Sequence, residues 1–383
     1  MRKVGHCCQI GRKSFMEAMR ISNRFDRFVE NCIKISPIPT KGKTGVKHLL
    51  RCTRRGELTW DPWIIKDEDR YYLFYLSGTN RSLKRAWWKM ESKICAAVST
   101  DLKNWENLGV ILKPTSDGSW DSGRLFAGST YKVDGTYYLF YSGAGVGAEF
   151  QNEAIGLATS TDGLSWQRSS NQPLLKPDDN NQWYGRYNSS FQWRDPWIVQ
   201  HPETGLYYMF MTAYAREEDS NHYYGGCVGL AVADKISGPY TILPPAARPL
   251  IEGTSESPFY EMERPQVIYQ NGQYHLFFSA FIKALNPKWL GQIGMQGISD
   301  STVYWFTSNN ITGPFKPVTS KPVLKGSEKT GLYGTNFFPL PYQSDVYFAY
   351  GWRHRLFMLD IDSSHQLNWQ SQSIEIKRKS TSK

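Results

Sequence analysis

Tyr71-Tyr-Leu-Phe-Tyr75 returns along the chain as Tyr137-Tyr-Leu-Phe-Tyr141, Tyr207-Tyr-Met-Phe-Met211, Tyr274-His-Leu-Phe-Phe278 and Val346-Tyr-Phe-Ala-Tyr350. Such runs are too short for a buried helix and have the aromatic composition of strands. Four of them follow a turn pair, at Glu68-Asp69, Asp134-Gly135, Thr204-Gly205 and Asn271-Gly272. Asn-Gly before an apolar run is a strong hairpin signal. After each run comes a strand of small or β-branched residues: Ile94 to Ser99, Ile155 to Ser160, Val228 to Ala233, Val303 to Thr307 and Leu356 to Asp360. A turn with an aromatic residue then closes each unit, at Trp105, Trp166, Tyr240, Phe315 and Trp369.

Upstream of every aromatic run stands a further strand start: Trp60-Asp-Pro-Trp63, Phe126-Ala-Gly-Ser129, Arg194-Asp-Pro-Trp197, Glu263-Arg-Pro265 and Tyr333-Gly-Thr335. With Asp61, Phe126, Asp195, Glu263 and Tyr333 as markers, the steps are 65, 69, 68 and 70 residues. Five copies of a four-stranded unit at nearly constant spacing predict an all-β fold, a five-bladed β-propeller of antiparallel blades around a central funnel. A β-sandwich does not repeat its turn chemistry at so fixed a distance. An α/β fold would need helical patterns between the strands, and there are none.

The propeller is expected over residues 56–383, after an N-terminal arm, residues 1–55. In the arm, Ser14 to Lys34 has the apolar spacing of one amphipathic helix, Pro37 and Pro39 break it, and Thr40 to Lys47 reads as a linker. The formal charge of +10 is concentrated in end segments such as Arg51 to Arg55 and Lys377 to Lys379. No long basic run is interleaved with aromatics, so no nucleic-acid partner is expected. Cys7, Cys8, Cys32, Cys52, Cys95 and Cys227 form no C-x-x-C pair, which argues against zinc and suits a reducing compartment. There is no apolar leader before Cys7 and no stretch approaching 18 apolar residues, so neither a signal peptide nor a membrane span is expected, and a cytoplasmic location is.

In a propeller the first strand of each blade lines the channel, so equivalent positions converge on the axis. Here they read Asp61, Phe126, Asp195, Glu263 and Tyr333. Three like charges in one funnel push at least one pKa upward. Glycoside cleavage uses that arrangement, one carboxyl protonated to donate to the leaving oxygen and another ionised to attack or to activate water. The plain alternative for one Asp-Pro is a strand-entry turn device. Two such pairs at repeat-aligned positions, with Glu-Arg-Pro at a third, favour the chemical reading. Arg194 and Arg264 flank two of the acids and could orient a carboxylate or bind sugar hydroxyls. Three carboxylates could also hold Ca²⁺ or Mg²⁺, but no D-x-D-x-D-G loop accompanies them, so no metal or other cofactor is expected.

At these residues the chain resembles the five-bladed furanosidase clan of glycoside hydrolase families 32, 43, 62 and 68, and within it family 68, the levansucrases, inulosucrases and β-fructofuranosidases. Trp60-Asp61-Pro62-Trp63 is similar to that family's nucleophile motif, Arg194-Asp195-Pro196 to its Arg-Asp-Pro, and Glu261-Met262-Glu263-Arg264 to its acid/base segment. The resemblance spans about Trp60 to Tyr350. It implies Asp61 as nucleophile, Glu263 as acid/base and Asp195 as transition-state stabiliser, with retention through a covalent fructosyl-enzyme. It also implies substrate contacts from Trp60, Phe126, Ser129, Arg194, Glu261, Arg264 and Tyr333. Phe126-Ala-Gly-Ser129 stands where the family has a Trp-Ser-Gly-Ser type of segment, and Lys283 and Lys288 are the cations where the family contacts the glucosyl unit.

The expected activity is therefore cleavage or transfer of a β-fructofuranoside such as sucrose. An inverting arabinofuranosidase or β-xylosidase of the family 43 type uses the same three positions with Asp61 as general base. A phosphorylase would need a cationic phosphate site, and a non-catalytic carbohydrate-binding propeller would need no acid/base at all. Carboxyl separations of ~5–5.5 Å imply retention and ~6.5–9.5 Å inversion.

Overall fold

The repeated aromatic runs are strands covered on both faces, which is why they read as continuous apolar stretches and not as alternation: in Arg70–Thr79 every residue from Tyr71 to Gly78 is buried. The computed structural model describes residues 57–79, 91–146, 152–186, 191–216, 224–324, 332–353, 357–361, 365–371 and 373–376. The arm before residue 57, with its expected helix and linker, lies outside the described residues.

Each run is the second strand of one antiparallel sheet, and the described residues form five sheets. Blade I is Glu57–Asp67, Arg70–Thr79, Ser92–Ser99 and Glu106–Leu112; blade II is Arg124–Val133, Thr136–Ala144, Ala154–Ser160 and Gln167–Arg168. Blade III is Trp193–Gln200, Tyr207–Tyr214, Gly226–Ala233 and Thr241–Ala247; blade IV is Glu263–Gln270, Gln273–Ser279, Val303–Ser308 and Lys316–Pro317. Blade V has Tyr333–Leu340 and Gln343–Arg353, after which the pattern changes. The expected third strand at Leu356 to Asp360 is divided: Met358–Asp360 pairs with Gly351 to Arg353, and His365–Asn368 pairs with Val346 to Phe348. Leu367, expected in a closing turn, is therefore inside a strand, and Ser373–Ile376 forms the edge.

Left-handed residues build the hairpins between first and second strands, with φ of 51° at Glu68, 48° at Asp134 and 53° at Asn271. Blade V makes its turn at Tyr342, φ 68°, without the Gly or Asp seen elsewhere. The innermost strands run from the mouth that holds the acids toward these turns. At the turn end lies a cavity of about 370 Å³ lined by Trp63, Tyr131, Trp197, Val267 and Phe337 among others.

Neighbouring blades are tied by side chains of the innermost strands. Trp63 Nε1 donates to Thr130 Oγ1 at 2.9 Å, Ser129 Oγ to the Pro196 carbonyl at 2.7 Å, and Trp197 Nε1 to the Val267 carbonyl at 3.0 Å. Between blades IV and V, Gln266 bonds Phe337 twice, Nε2 donating to the carbonyl at 2.8 Å and Oε1 accepting from the N–H at 2.7 Å. The ring closes where the Thr59 N–H donates to the Phe357 carbonyl at 3.1 Å. Trp60, Trp63, Phe348, Tyr350, Trp352 and Phe357 share one buried cluster across that seam.

Replacing Gln266 by Leu leaves both backbone groups of Phe337 buried without a partner, at a cost of about 2–4 kcal/mol. Urea unfolding of Gln266→Leu should show that loss, and unchanged stability would contradict this description of the blade IV–V seam.

Candidate active site

Every innermost strand carries a β-bulge near its mouth end. Pairing with the second strand slips between Trp60 and Trp63, Phe126 and Gly128, Glu263 and Gln266, and Tyr333 and Asn336, and opposite Phe210–Thr212 in blade III. A bulge inserts one residue and re-aims a side chain. In four blades the first inserted residue is left-handed: Asp61 at φ 46°, Asp195 at 58°, Arg264 at 56° and Gly334 at 55°. A non-glycine residue held there costs ~1–3 kcal/mol and persists only where the surroundings enforce it. Pro62, Pro196 and Pro265 each occupy the next position, where the ladder needs no N–H.

This register corrects the alignment drawn from the sequence. Asp61 and Asp195 are equivalent to each other, but Glu263 is not their counterpart. It stands one residue earlier, level with Trp60, Phe126, Arg194 and Tyr333, and the true counterpart of the two aspartates in blade IV is Arg264. The acids come together all the same, because both tiers face the funnel. Asp61 senses the charges of Asp195 and Glu263, and Asp195 that of Glu263.

Arg194 sits at the centre. Its Nη2 donates to Glu263 Oε1 at 2.6 Å and to Glu261 Oε2 at 2.7 Å, its Nη1 to Glu153 Oε2 at 3.2 Å, and its Nε lies 3.8 Å from Asp195 Oδ2. The second oxygen of Glu263 accepts from the Tyr333 hydroxyl. The Tyr333 ring stacks on Phe281 with centroids 3.8 Å apart. Both Glu263 oxygens are thereby held in a fixed plane, and the carboxyl remains partly exposed to the funnel, as does Asp61. Asp195 is buried; its Oδ2 accepts from Thr212 Oγ1 at 3.1 Å and from the Arg264 N–H at 3.2 Å. Gly334 lies against Asp61: a Cβ there would be 2.8 Å from Asp61 Oδ1.

Burial is the main cause that raises Asp61 to about 7, helped by Asp195 and Glu263 and opposed by Arg264 and the Trp352 indole. Asp195 is raised to about 6 for the same first reason, with Arg194 and Arg264 opposing. Glu261 is raised to about 7 by burial and by Glu263. Burial and the facing carboxylates push Tyr333 well above the usual phenol range, so it stays a donor. Near neutral pH the funnel thus retains protons among its carboxyls, as acid–base chemistry at a glycosidic oxygen demands. Among the described residues, no group of three His, Cys, Asp or Glu side chains is arranged to hold a metal ion.

Two side chains expected at the substrate are used elsewhere. Ser129 is buried between blades II and III, because it lies beyond the bulge and faces the neighbouring strand. Arg264 is buried beneath Asp61 and spends Nη2 on the Pro62 carbonyl at 2.6 Å and Asn336 Oδ1 at 2.7 Å, so it serves as counter-charge and blade tie. Trp60 is also largely covered, its ring edge-on to Phe357. Phe126 keeps part of its ring open, with the Arg124 guanidinium 4.7 Å from its centroid. Glu153 was not foreseen. It precedes the third strand of blade II and also accepts from the Trp193 N–H at 3.0 Å; no motif marks it.

The mouth of the propeller thus gathers carboxylates from three blades around one arginine. The chain belongs to glycosyl hydrolases family 43, whose family model matches residues 57–337. It is 25% identical over 281 residues to a levansucrase of Pseudomonas syringae pv. actinidiae, covering 66% of this chain and 61% of that one. It is also 25% identical over 269 residues to the levansucrase of Rahnella aquatilis, covering 64% and 61%. The chain thus spans about three fifths of the length of these relatives. Among solved structures, an inulosucrase from Halalkalicoccus jeotgali bound to kestose superposes with a TM-score of 0.64 at 17% identity, over 90% of this chain and 92% of that one. The Bacillus subtilis levansucrase gives 0.63 at 16% identity, over 91% of both. At such identity these structures speak for the fold. The family match and the levansucrase relatives both fall within the clan named from the motifs.

The pKa of Asp61 has a consequence for stability. Raised from 3.8 to about 7 in the folded chain, Asp61 takes up a proton on folding between those values, so it destabilises the fold above about pH 7 and ceases to do so below about pH 4. Asp61→Asn should therefore melt several degrees above the parent at about pH 8, with the difference fading towards about pH 4. A variant less stable than the parent at about pH 8 would contradict the raised pKa.

Proposed function

We propose that the protein is a retaining glycoside hydrolase or fructosyltransferase acting on sucrose or a related β-fructofuranoside. The observation that carries the reading is Glu263, partly open to the funnel and clamped between Arg194 and Tyr333, in the same charge cluster as a partly open Asp61 with a pKa of about 7. The levansucrase relatives and the kestose-bound inulosucrase structure support the substrate class.

Asp61 and Glu263 form a pair that reacts with one proton between them. With the proton on Glu263, that carboxyl donates it to the glycosidic oxygen while ionised Asp61 attacks the anomeric carbon. The carbon–oxygen bond breaks, its electrons leave with the first product, and a glycosyl ester forms on Asp61. Glu263 then accepts a proton from water or from a sugar hydroxyl, which displaces Asp61. Asp195, held by Thr212 and the Arg264 N–H, offers an oriented carboxylate to ring hydroxyls and to the positive charge that develops on the ring. Arg194, Glu261, Tyr333, Phe126 and Trp60 remain as the substrate-facing set; Ser129 and Arg264 act through the scaffold.

The family 43 match favours a second reading, an inverting arabinofuranosidase or β-xylosidase in which Asp61 activates water. A panel of sucrose, raffinose, inulin and nitrophenyl arabinofuranoside and xyloside separates the two, with the anomeric form of the first product followed by NMR. The proposal expects fructose release with retained configuration; arabinose or xylose released with inversion would overturn it. Glu263→Gln should lower turnover of the active substrate by about 10²–10⁴-fold while leaving the fold intact by circular dichroism. An active Glu263→Gln variant would point to a non-catalytic role for the funnel.

As pH falls through about 7, Asp61 takes up a proton and the nucleophile is lost, with Asp195 following at about 6. The acidic limb of kcat/KM should bend in that range, well above the usual carboxylate region. A limb bending near the ordinary value of 3.8 would contradict it.

A further inference from the structure

Gln192 is 8% exposed, and its Oε1 is buried with no hydrogen-bond partner among the described residues. Buried amides are rarely left so, and this one has no part in the chemistry above. Its direction follows from the alternation of extended chain. Trp193 turns away from the axis and packs edge-on against Tyr184 with centroids 4.9 Å apart, whereas Arg194 reaches Glu261 and Glu263. Gln192 immediately precedes the strand Trp193–Gln200, and alternation carried back by one residue puts it on the side of Arg194.

Two residues of extended chain span about 7 Å, and the innermost strands run inward from the mouth, so Gln192 stands one tier outside Arg194. That offset is about the width of a sugar ring. The positions two residues before Phe126 and Glu263 are Arg124 and Glu261, both buried. Blades II, III and IV thus set polar side chains, Arg124, Gln192 and Glu261, at matching register positions, while blade I offers Leu58 there. The two charged members of the set are engaged with other charges, Arg124 sensing Glu153 and Arg194, and Glu261 pairing with Arg194. The neutral amide between them can both donate to and accept from a hydroxyl.

We propose that Gln192 reads the sugar unit beyond the cleaved bond, hydrogen-bonding a hydroxyl of the leaving group or of an incoming acceptor. The inference rests on the glycoside-cleaving reading of the funnel. It assigns specificity for a polar, hydroxylated unit at this subsite to a residue outside the acid–base set.

The test is Gln192→Leu, assayed on sucrose and on a nitrophenyl β-fructofuranoside, whose leaving group lacks the hydroxyls. Loss of one neutral hydrogen bond predicts about a tenfold fall in kcat/KM on sucrose and a change within roughly twofold on the aryl fructoside. Equal loss on both substrates, or none on either, would overturn the assignment. Thermal melting of the ligand-free variant gives a readout independent of turnover. Replacing an unpartnered buried acceptor with an apolar isostere should leave the midpoint unchanged or raised, and a lowered midpoint means that the amide has a partner in the free protein and sinks the proposal. Should the parent protein release fructose from neither substrate, the fructoside reading fails, and the melting result decides on Gln192 by itself.

Discussion

Arg194 and the four carboxylates around it are the constraint on which the funnel depends. Glu153 comes from blade II, Asp195 from blade III, and Glu261 and Glu263 from blade IV, and one guanidinium lies within 3.8 Å of an oxygen of each. Without that cation the carboxylates would face one another across a poorly solvated space, and they would neutralise by taking up protons. With it, burial still raises the carboxyls, but opposite charge limits the rise: Asp61, opposed by Arg264, is held at about 7, and Asp195, opposed by Arg194 and Arg264, at about 6. A guanidinium suits the task because its planar fork meets several carboxylates at once and stays charged when buried.

The same constraint explains where strain is stored. Asp61 and Asp195 are left-handed at bulges, Arg264 matches them in blade IV, and Gly334 gives Asp61 the space a side chain would deny. Blade II has no acid at this level; Ala127 occupies the bulge and its neighbour Phe126 looks into the funnel. Strain and charge repulsion both weigh against folding, and the compensation lies in the inter-blade bonds and the aromatic seams that surround the axis. Stability given up at an active site and recovered in the scaffold is a general trade in enzymes.

Much of this was legible in the chain. The aromatic second strands declared themselves because burial on both faces leaves no polar positions to blur the repeat. The convergence of Asp61, Asp195 and Glu263 was legible because the repeat sets them about one axis. The register was missed by one residue for Glu263 because a bulge adds a residue without altering the spacing of the flanking strands. The signal that could have corrected it is the proline that follows: Pro62, Pro196 and Pro265 share one position, and aligning on them pairs Asp61 with Asp195 and Arg264. Ser129 was misjudged for the same reason. Glu153 could not have been read at all, since it reaches Arg194 only through the packing of blade II on blade III, and blade V hid its divided third strand because Met358 to Asp360 and His365 to Asn368 follow no copy of the repeat.

The central claim is that Asp61 attacks while Glu263 handles the proton, and trapping the intermediate tests it most directly. In Glu263→Gln, a fructosyl donor with a fluoride leaving group needs no acid for the first step, while the second step lacks its base. Rapid quenching and peptide mass spectrometry should then find an anhydrohexose ester on the peptide that contains Asp61. Fluoride released with Asp61 unmodified would contradict the account.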